Sequence, residues 1–206
     1  LTVGQSLVGS DGLVGGMSTL SSFYRLGPTS IVASGNLGVD ADNGLAAFDG
    51  TLAFAGHGDA LVAFNPTNLT TLTSLATVTA NVRTSPVLGS ARTGGNPLGY
   101  AVTSAGALYV FPLTATAGSA TDFGAIFSSG TVYGHPTLDC NRRPGAATAT
   151  TGVLYVTNNQ GHVAAIIVDS PKLLTAPGAW PKYQRTAGNA GNPDDTRFPL
   201  NPGCPP

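Results

Sequence analysis

Two turn segments of this 206-residue sequence carry side chains that could bind a ligand or move a proton. His57 lies two residues before Asp59, and a histidine beside a carboxylate can act as a general base. A later turn of similar pattern holds Asn159 and Gln160, whereas a third holds Ala105, so the pattern itself does not require chemistry at this position. Exposed polar turns are one expectation for His57, Asp59, Asn159 and Gln160, and a ligand-binding role is the other.

An aspartate-rich segment offers oxygen ligands of the kind that calcium prefers. Asp40, Asp42 and Asp49 lie within ten residues, and calcium is held by carboxylate oxygens at closely spaced positions. The spacing matches neither an EF-hand loop nor the D-x-[D/N]-x-[D/N]-G-x-x-D loop. A calcium site is therefore one expectation, and a turn whose side chains cap their own backbone is the other.

Cys140 and Cys204 are the two cysteines of the chain. Two cysteines outside a C-x-x-C pair are too few for a tetrahedral zinc site without histidine. A disulfide between them would close a loop of some sixty residues, worth about 4 kcal/mol by chain entropy. It would also hold the proline-rich tail 201–206, which has little else to fix it. Two unrelated buried thiols are the alternative.

The composition favours strands and turns over helices. Charged residues make up 9% of the chain, against about 25% in ordinary globular proteins, and glutamate is absent. Glutamate and lysine are strong helix formers, so the usual material for solvent-facing helix surfaces is missing. A net charge of −1 gives no electrostatic footprint for nucleic acid, and no run of about eighteen apolar residues predicts a membrane span.

A hairpin-like pattern occurs three times. Each copy is a short apolar run, a turn containing glycine, and a second apolar run; the copies are Gly50–Phe64, Tyr100–Phe111 and Leu154–Ile166. Leu52 and Tyr100 are 48 residues apart, and Tyr100 and Leu154 are 54 apart. This spacing is typical of four-stranded blades, so we predict an all-β fold, a β-propeller of antiparallel blades. A β-sandwich is the alternative.

The repeat also predicts where the units begin and end. A [Ser/His]-Pro-x-Leu sequence precedes the second and third hairpins, starting at Ser85 and His135. The predicted segments are a partial blade at 1–28, complete blades at 29–83, 84–133 and 134–178, and a tail at 179–206 packed on the last blade. About three complete blades and a partial one cannot readily close a ring, so we expect the chain to be part of a larger propeller.

The hairpins resemble the quinoprotein-like, or PQQ-like, β-propeller repeat, in the pattern G-x-[Leu/Val]-[Tyr/Ala]-[Val/Phe]-x-x-x-x-G-x-[Leu/Val]-x-A. The segment Ala179–Gly191 is similar to a W-P-aromatic segment that flanks such propellers in secreted bacterial proteins. The resemblance implies the C-terminal portion of a secreted, periplasmic or cell-surface propeller. It does not imply a quinone cofactor, because the enzymes of that family use a calcium-binding glutamate and several tryptophans, and here Trp180 is alone.

The functional expectation is a non-catalytic binding or scaffold protein whose blade loops face a ligand or partner. The partner would be a second polypeptide, or N-terminal blades that complete the ring. A hydrolase or lyase acting on polysaccharide is the competing class, and a subunit that completes another chain's propeller is a third. The sequence contains no G-x-S-x-G, Walker or H-E-x-x-H motif, and few carboxylates, which favours binding over catalysis.

Overall fold

The part of the chain that the structure, a computed structural model, describes consists of strands, turns and connectors. It comprises residues 3–8, 14–18, 22–26, 31–36, 47–65, 68–142, 150–175, 182, 201 and 204. Fifteen strands and no helix lie in these residues, so the prediction of an all-β chain is confirmed. None of the described residues forms a helix that could cross a membrane.

The strands form four antiparallel sheets that follow one another along the chain, each with its strands in chain order. Sheet 1 contains β1 (Val3–Val8), β2 (Val14–Ser18), β3 (Ser22–Leu26) and β4 (Ile31–Asn36). Sheet 2 contains β5 (Ala47–Phe48), β6 (Ala53–His57), β7 (Ala60–Asn65) and β8 (Asn68–Thr77). Sheet 3 contains β9 (Val87–Gly89), β10 (Leu98–Val102), β11 (Ala107–Pro112) and β12 (Thr121–Ala125). Sheet 4 contains β13 (Thr137–Cys140), β14 (Gly152–Thr157) and β15 (Val163–Val168).

Glycines at the hairpin tips explain why the three repeated segments turn where they do. Gly58, Gly106 and Gly161 lie in the turns that join β6 to β7, β10 to β11 and β14 to β15. Their φ angles are 54°, 84° and 79°. Residues with a Cβ rarely adopt this left-handed conformation, whereas glycine adopts it freely. The apolar runs on either side pair as the sequence pattern predicts, for example Tyr100 with Val110.

Among the described residues, two core clusters lie between consecutive sheets. Phe54 of sheet 2 packs against Phe111 of sheet 3, with ring centroids 5.3 Å apart. On the other face of sheet 3, Tyr100 belongs to the cluster that contains Leu138 and Leu154 of sheet 4. Burying one such side chain contributes roughly 1.5–3 kcal/mol, so sheet 3 is held through both faces.

The sheet boundaries differ from the predicted units at the beginning of the chain. The first complete unit was predicted to begin at residue 29, but β4 pairs with β3 and completes sheet 1 as a four-stranded sheet. Sheet 2 opens instead with the two residues of β5. Strand propensity cannot tell which neighbour a strand pairs with, and short connections favour the preceding one. The three-stranded sheet within the described residues is the last one, not the first.

Candidate functional site

Two connectors, residues 78–86 between sheets 2 and 3 and residues 126–136 between sheets 3 and 4, are hydrogen-bonded to the hairpin tips at one end of the molecule. Each connector binds the tip of the sheet it leaves and the tip of the sheet it enters. The backbone bonds run from Val78 N to Asp59 O, Ser104 N to Asn81 O, Val132 N to Ser104 O, and Asn159 N to Thr131 O, at 2.7–2.9 Å. This end of sheets 2 to 4 is therefore joined by backbone groups that are no longer free for a ligand.

Two of the predicted ligand-binding residues, Asn159 and Gln160, take part in the same junction. Asn159 Oδ1 accepts a hydrogen bond from Thr131 N at 2.8 Å, and Gln160 Oε1 accepts one from Ser129 Oγ at 2.8 Å. The buried Asn158 adds a third, from its Nδ2 to Ser129 O at 2.9 Å. These side chains position sheet 4 against the connector from sheet 3, and their ligand-binding role stays a prediction.

The other two predicted ligand-binding residues, His57 and Asp59, lie at the tip of the β6–β7 hairpin. His57 pairs with Ala60 across the tip, and Asp59 is exposed. Sheet 3 lies between this tip and the tip that carries Asn159, because the sheets pack in chain order. His57 and Asp59 thus belong to the tip of sheet 2, and Asn159 and Gln160 to the tip of sheet 4, with the tip of sheet 3 between them.

A cluster that the sequence analysis does not single out as a site lies where β9 and β13 begin. The backbone N of Ser85 donates a hydrogen bond to His135 Nδ1 at 3.1 Å, so the two [Ser/His]-Pro sequences contact each other. Burial, and to a lesser extent the charge of Lys182, lower the pKa of His135 to about 4. Burial also lowers the pKa of Lys182, which is 1% exposed, to about 8. The sequence did carry a signal for this contact, because Ser85 and His135 occupy equivalent positions in the repeat.

Both pKa shifts favour the uncharged forms of the two side chains. A neutral His135 accepts at Nδ1, which matches the N–H of Ser85 that points at it. A protonated ring would present a donor to that donor. The geometry thus indicates a neutral histidine that joins two adjacent sheets rather than a proton shuttle open to solvent.

The predicted calcium ligands are described only in part. Asp49 Oδ1 accepts hydrogen bonds from the backbone N of Thr51 and of Leu52, both at 2.7 Å. This is the self-capping turn that the sequence analysis gives as the alternative. Asp40 and Asp42 lie outside the described residues, so the calcium site stays a prediction.

A cavity opens near Asp49, at the opposite end of the sheets from the joined tips. Its volume is about 350 Å³, and its lining is mainly apolar. The lining residues are Asp49, Asn96, Pro97, Pro112, Leu113, Thr114 and Leu174. Because the Asp49 carboxylate already caps a turn, the lining offers few polar groups that could orient a substrate.

Cys140 and Cys204 form a disulfide, with Cα atoms 5.6 Å apart, as predicted. Asp139 lies beside it and receives two hydrogen bonds from the guanidinium of Arg142, at 3.1 and 3.2 Å. Asp139 and the two cysteines are the one group of three potential metal ligands in the described part of the chain. Both sulfurs are used in the disulfide, so this group supplies no thiolate for a metal.

Sheet 4 exposes an apolar face, which we call the open face and define by Tyr155, Val163, Ala165 and Ile167. Cross-strand pairing places Tyr155 opposite Ala165, Val163 opposite the exposed Thr157, and Ile167 opposite the buried Val153. Tyr155 is 41% exposed, Val163 66% and Ile167 56%. The opposite face of sheet 4 packs on sheet 3. An uncovered patch of large apolar side chains is typical of a surface that binds another protein.

The open face has a buried counterpart in sheet 3. Thr103 N bonds to Ala107 O at one tip and Asn158 N to His162 O at the other, which aligns the two hairpins. In this alignment Tyr155 corresponds to Tyr100 and Val163 to Leu108. Tyr100 is 1% exposed and Leu108 5% exposed, because sheet 4 covers them. The open face is therefore the same face of the repeat, and no further sheet of the described residues packs on it.

Two solved structures resemble this chain. BBS1N, from a crystal structure in complex with ARL6DN, is 13% identical with a TM-score of 0.52; the match covers 84% of this chain and 55% of that chain. The N-terminal domain of Nup159 is 12% identical with a TM-score of 0.41, covering 80% and 43%. No protein-family model and no curated sequence matches the chain. The chain spans about half the length of these solved chains.

The sheets and the likeness to BBS1N together define the fold class. The protein is an all-β chain with the fold of a partial β-propeller, built of antiparallel blades, as predicted from the repeat. Each of the four sheets is a blade, and the β-sandwich alternative does not describe them. At 13% identity this likeness concerns the fold alone.

Proposed function

We propose that this partial propeller is a non-catalytic scaffold that binds another polypeptide through the open face. The carrying observation is the exposure of Tyr155 and Val163, whose counterparts Tyr100 and Leu108 are buried under the next sheet. Leaving such a face in water forgoes about 25 cal/mol for each Å² of apolar surface. A protein partner with an apolar face would recover that free energy.

The chemistry of the remaining described sites supports binding over catalysis. The polar side chains at the hairpin tip of sheet 4 are engaged with a connector, and Asp49 caps its own turn. BBS1N itself was crystallised in a complex with another protein. That fact concerns BBS1N, and it is compatible with a binding role for a fold of this kind.

The finer identity that we propose is a PQQ-like repeat protein of the secreted bacterial type. The hairpin pattern quoted above supports the repeat. The Cys140–Cys204 disulfide supports an oxidising location such as a periplasm or cell surface, because cytosolic thiols are kept reduced. The low content of charged residues is a further compositional support.

Photo-crosslinking in cells that make the protein tests the binding role. A benzophenone amino acid would replace Tyr155 on the open face or, as the matched control, the exposed Phe123 on β12. We expect illumination to join the Tyr155 variant to a polypeptide at a site that mass spectrometry maps, and the Phe123 variant to give no such product. Equal products from both positions, or no polypeptide product from Tyr155, would contradict the proposal.

A further inference from the structure

The segment 172–174, which follows sheet 4, lies along the edge of β9 that does not pair with β10. Leu173 forms an antiparallel bridge with Gly89, and Leu174 N donates a hydrogen bond to Leu88 O at 2.9 Å. Both leucine side chains are buried, Leu173 in the cluster between sheets 3 and 4 and Leu174 in the cluster between sheets 2 and 3. This short segment therefore closes both described cores at the edge of sheet 3.

The other side of Leu173 is held by a side chain near the end of the chain. Asn201 Oδ1 accepts a hydrogen bond from Leu173 N at 2.9 Å, and Asn201 Nδ2 donates one to Leu173 O at 3.1 Å. The amide thus makes the two bonds that a paired strand residue would make. Shortly after Asn201, Cys204 is joined by the disulfide to Cys140 at the end of β13. We call the contact of Asn201 with Leu173, together with this disulfide, the tail clasp.

A carboxylate lies against the disulfide of the tail clasp. Asp139 Oδ1 is 3.6 Å from the Sγ atoms of both Cys140 and Cys204. A disulfide is opened by a thiolate that attacks one sulfur and expels the other sulfur as a thiolate. The negative charge of Asp139 repels the attacking anion and disfavours the anion that leaves. The guanidinium of Arg142, 3.1 Å from the same oxygen, offsets part of that charge.

We infer that the tail clasp is a redox latch: a thiol reductant opens it at Cys204, at a rate that the charge of Asp139 limits, and opening uncouples Asn201 from Leu173. The inference does not depend on the proposed binding function. Attack falls on Cys204 because that residue is partly exposed, whereas Cys140 is 3% exposed.

The exchange that opens the latch is balanced by two thiols of the reductant. The first thiolate forms a bond to Cys204 Sγ and breaks the bond to Cys140, which leaves as a thiolate. The second thiolate attacks the reductant sulfur of this mixed disulfide and expels Cys204. The reductant departs as its own disulfide, so two electrons pass to the protein, and the two cysteines take up two protons from water.

Amide hydrogen exchange, measured by NMR before and after reduction with dithiothreitol, tests the uncoupling. We expect the amide of Leu173, which is bonded to Asn201, to exchange at least about 10-fold faster after reduction. The amide of Leu174, bonded to Leu88 O, should change less. Asn201→Ala, which keeps the disulfide, should speed exchange at Leu173 without any reductant. Equal acceleration at both amides, as global unfolding would give, or an unchanged Leu173 amide would overturn the latch.

Two thiols of opposite charge, the cationic cysteamine and the anionic mercaptoacetate, test the role of Asp139. Intact mass measures how fast each forms a mixed disulfide with the folded, oxidised chain, and peptide mapping locates the adduct, which we expect at Cys204. Asp139→Asn should raise the ratio of the mercaptoacetate rate to the cysteamine rate at least about threefold. A general loosening of the fold would speed both reactions alike and leave this ratio unchanged.

The matched control is Asp122→Asn on β12. Asp122 Oδ1 also accepts a hydrogen bond from a backbone N–H, that of Gly124 at 2.7 Å, but it belongs to the outer strand of sheet 3. The control should leave the ratio of the two rates as it is in the wild type. A ratio that Asp139→Asn does not change, or that both variants change equally, would overturn the role of Asp139, and an adduct at Cys140 would overturn the proposed point of attack.

Discussion

Sheets 3 and 4 have the same hairpin and the same tip hydrogen bonds, but among the described residues sheet 3 has a neighbouring sheet on both faces and sheet 4 on one. Tyr100 and Tyr155 occupy equivalent positions, and only the first is buried. The difference does not come from the local sequence, because both hairpins alternate apolar residues toward both faces. It comes from whether a further described sheet packs on the face that carries the tyrosine.

Replacing each of the two tyrosines by alanine should give the largest difference in the free energy of unfolding. Tyr100→Ala removes a fully buried ring and leaves Ser170 Oγ without the hydroxyl that bonds to it at 2.8 Å, so we expect a loss of roughly 5 kcal/mol in the free energy of unfolding. Tyr155→Ala should change it by less than about 1 kcal/mol in the isolated chain. Urea denaturation measures both. Equal losses would mean that the open face is covered within one chain.

Removing the disulfide tests how much this bond, rather than packing on sheet 3, stabilises sheet 4. The bond joins residues 64 apart in sequence, and Cys140 is at the end of β13. Converting both cysteines to serine should lower the free energy of unfolding by about 4 kcal/mol. Thermal unfolding followed by circular dichroism measures the change. An unchanged midpoint would show that packing on sheet 3 is sufficient.

Acidification should weaken the contact between sheets 3 and 4 through His135. Its pKa of about 4 lies below the ordinary 6.5, so the unfolded chain takes up a proton before the folded chain does. The contribution is present above pH 6.5 and is lost as the pH falls toward 4, by roughly 2 kcal/mol because the ring is only partly buried.

The control for this prediction is His135→Asn, whose side-chain oxygen can still accept from Ser85 N but does not titrate between pH 7 and pH 4. Relative to this variant, the wild type should lose urea midpoint as the pH falls from 6.5 toward 4. Parallel pH profiles of the two proteins would refute the assignment.

The smallest expected effect is at the hairpin tips. Asn159→Ala removes the hydrogen bond to Thr131 N and should lower the free energy of unfolding by about 1 kcal/mol. The control, His57→Ala at the tip of sheet 2, should change it by less than about 0.5 kcal/mol. If His57→Ala has the larger effect, the two tips do not differ in the way that their contacts indicate.

Much of the fold was predictable because it depends on local chemistry. Tip glycines such as Gly106 and the apolar runs beside them determine each hairpin within about a dozen residues, so the repeat was visible in the sequence. The Cys140–Cys204 disulfide was predictable because the chain offers a single pairing. The assignment of residues 31–36 to sheet 1 was missed, because strand pairing depends on which neighbour is nearer in space.

The site was less predictable, since its properties arise between segments far apart in the chain. Asn159 and Gln160 were predicted to bind a ligand, yet their side chains bind the connector at 129–131, which no turn pattern encodes. The contact of Ser85 with His135 spans fifty residues. The sequence alone determined that the chain forms repeated antiparallel hairpins, because turn and strand preferences act over a few residues. Only the tertiary structure decided which faces are buried, because burial depends on what packs against a sheet, and that left the face of sheet 4 open.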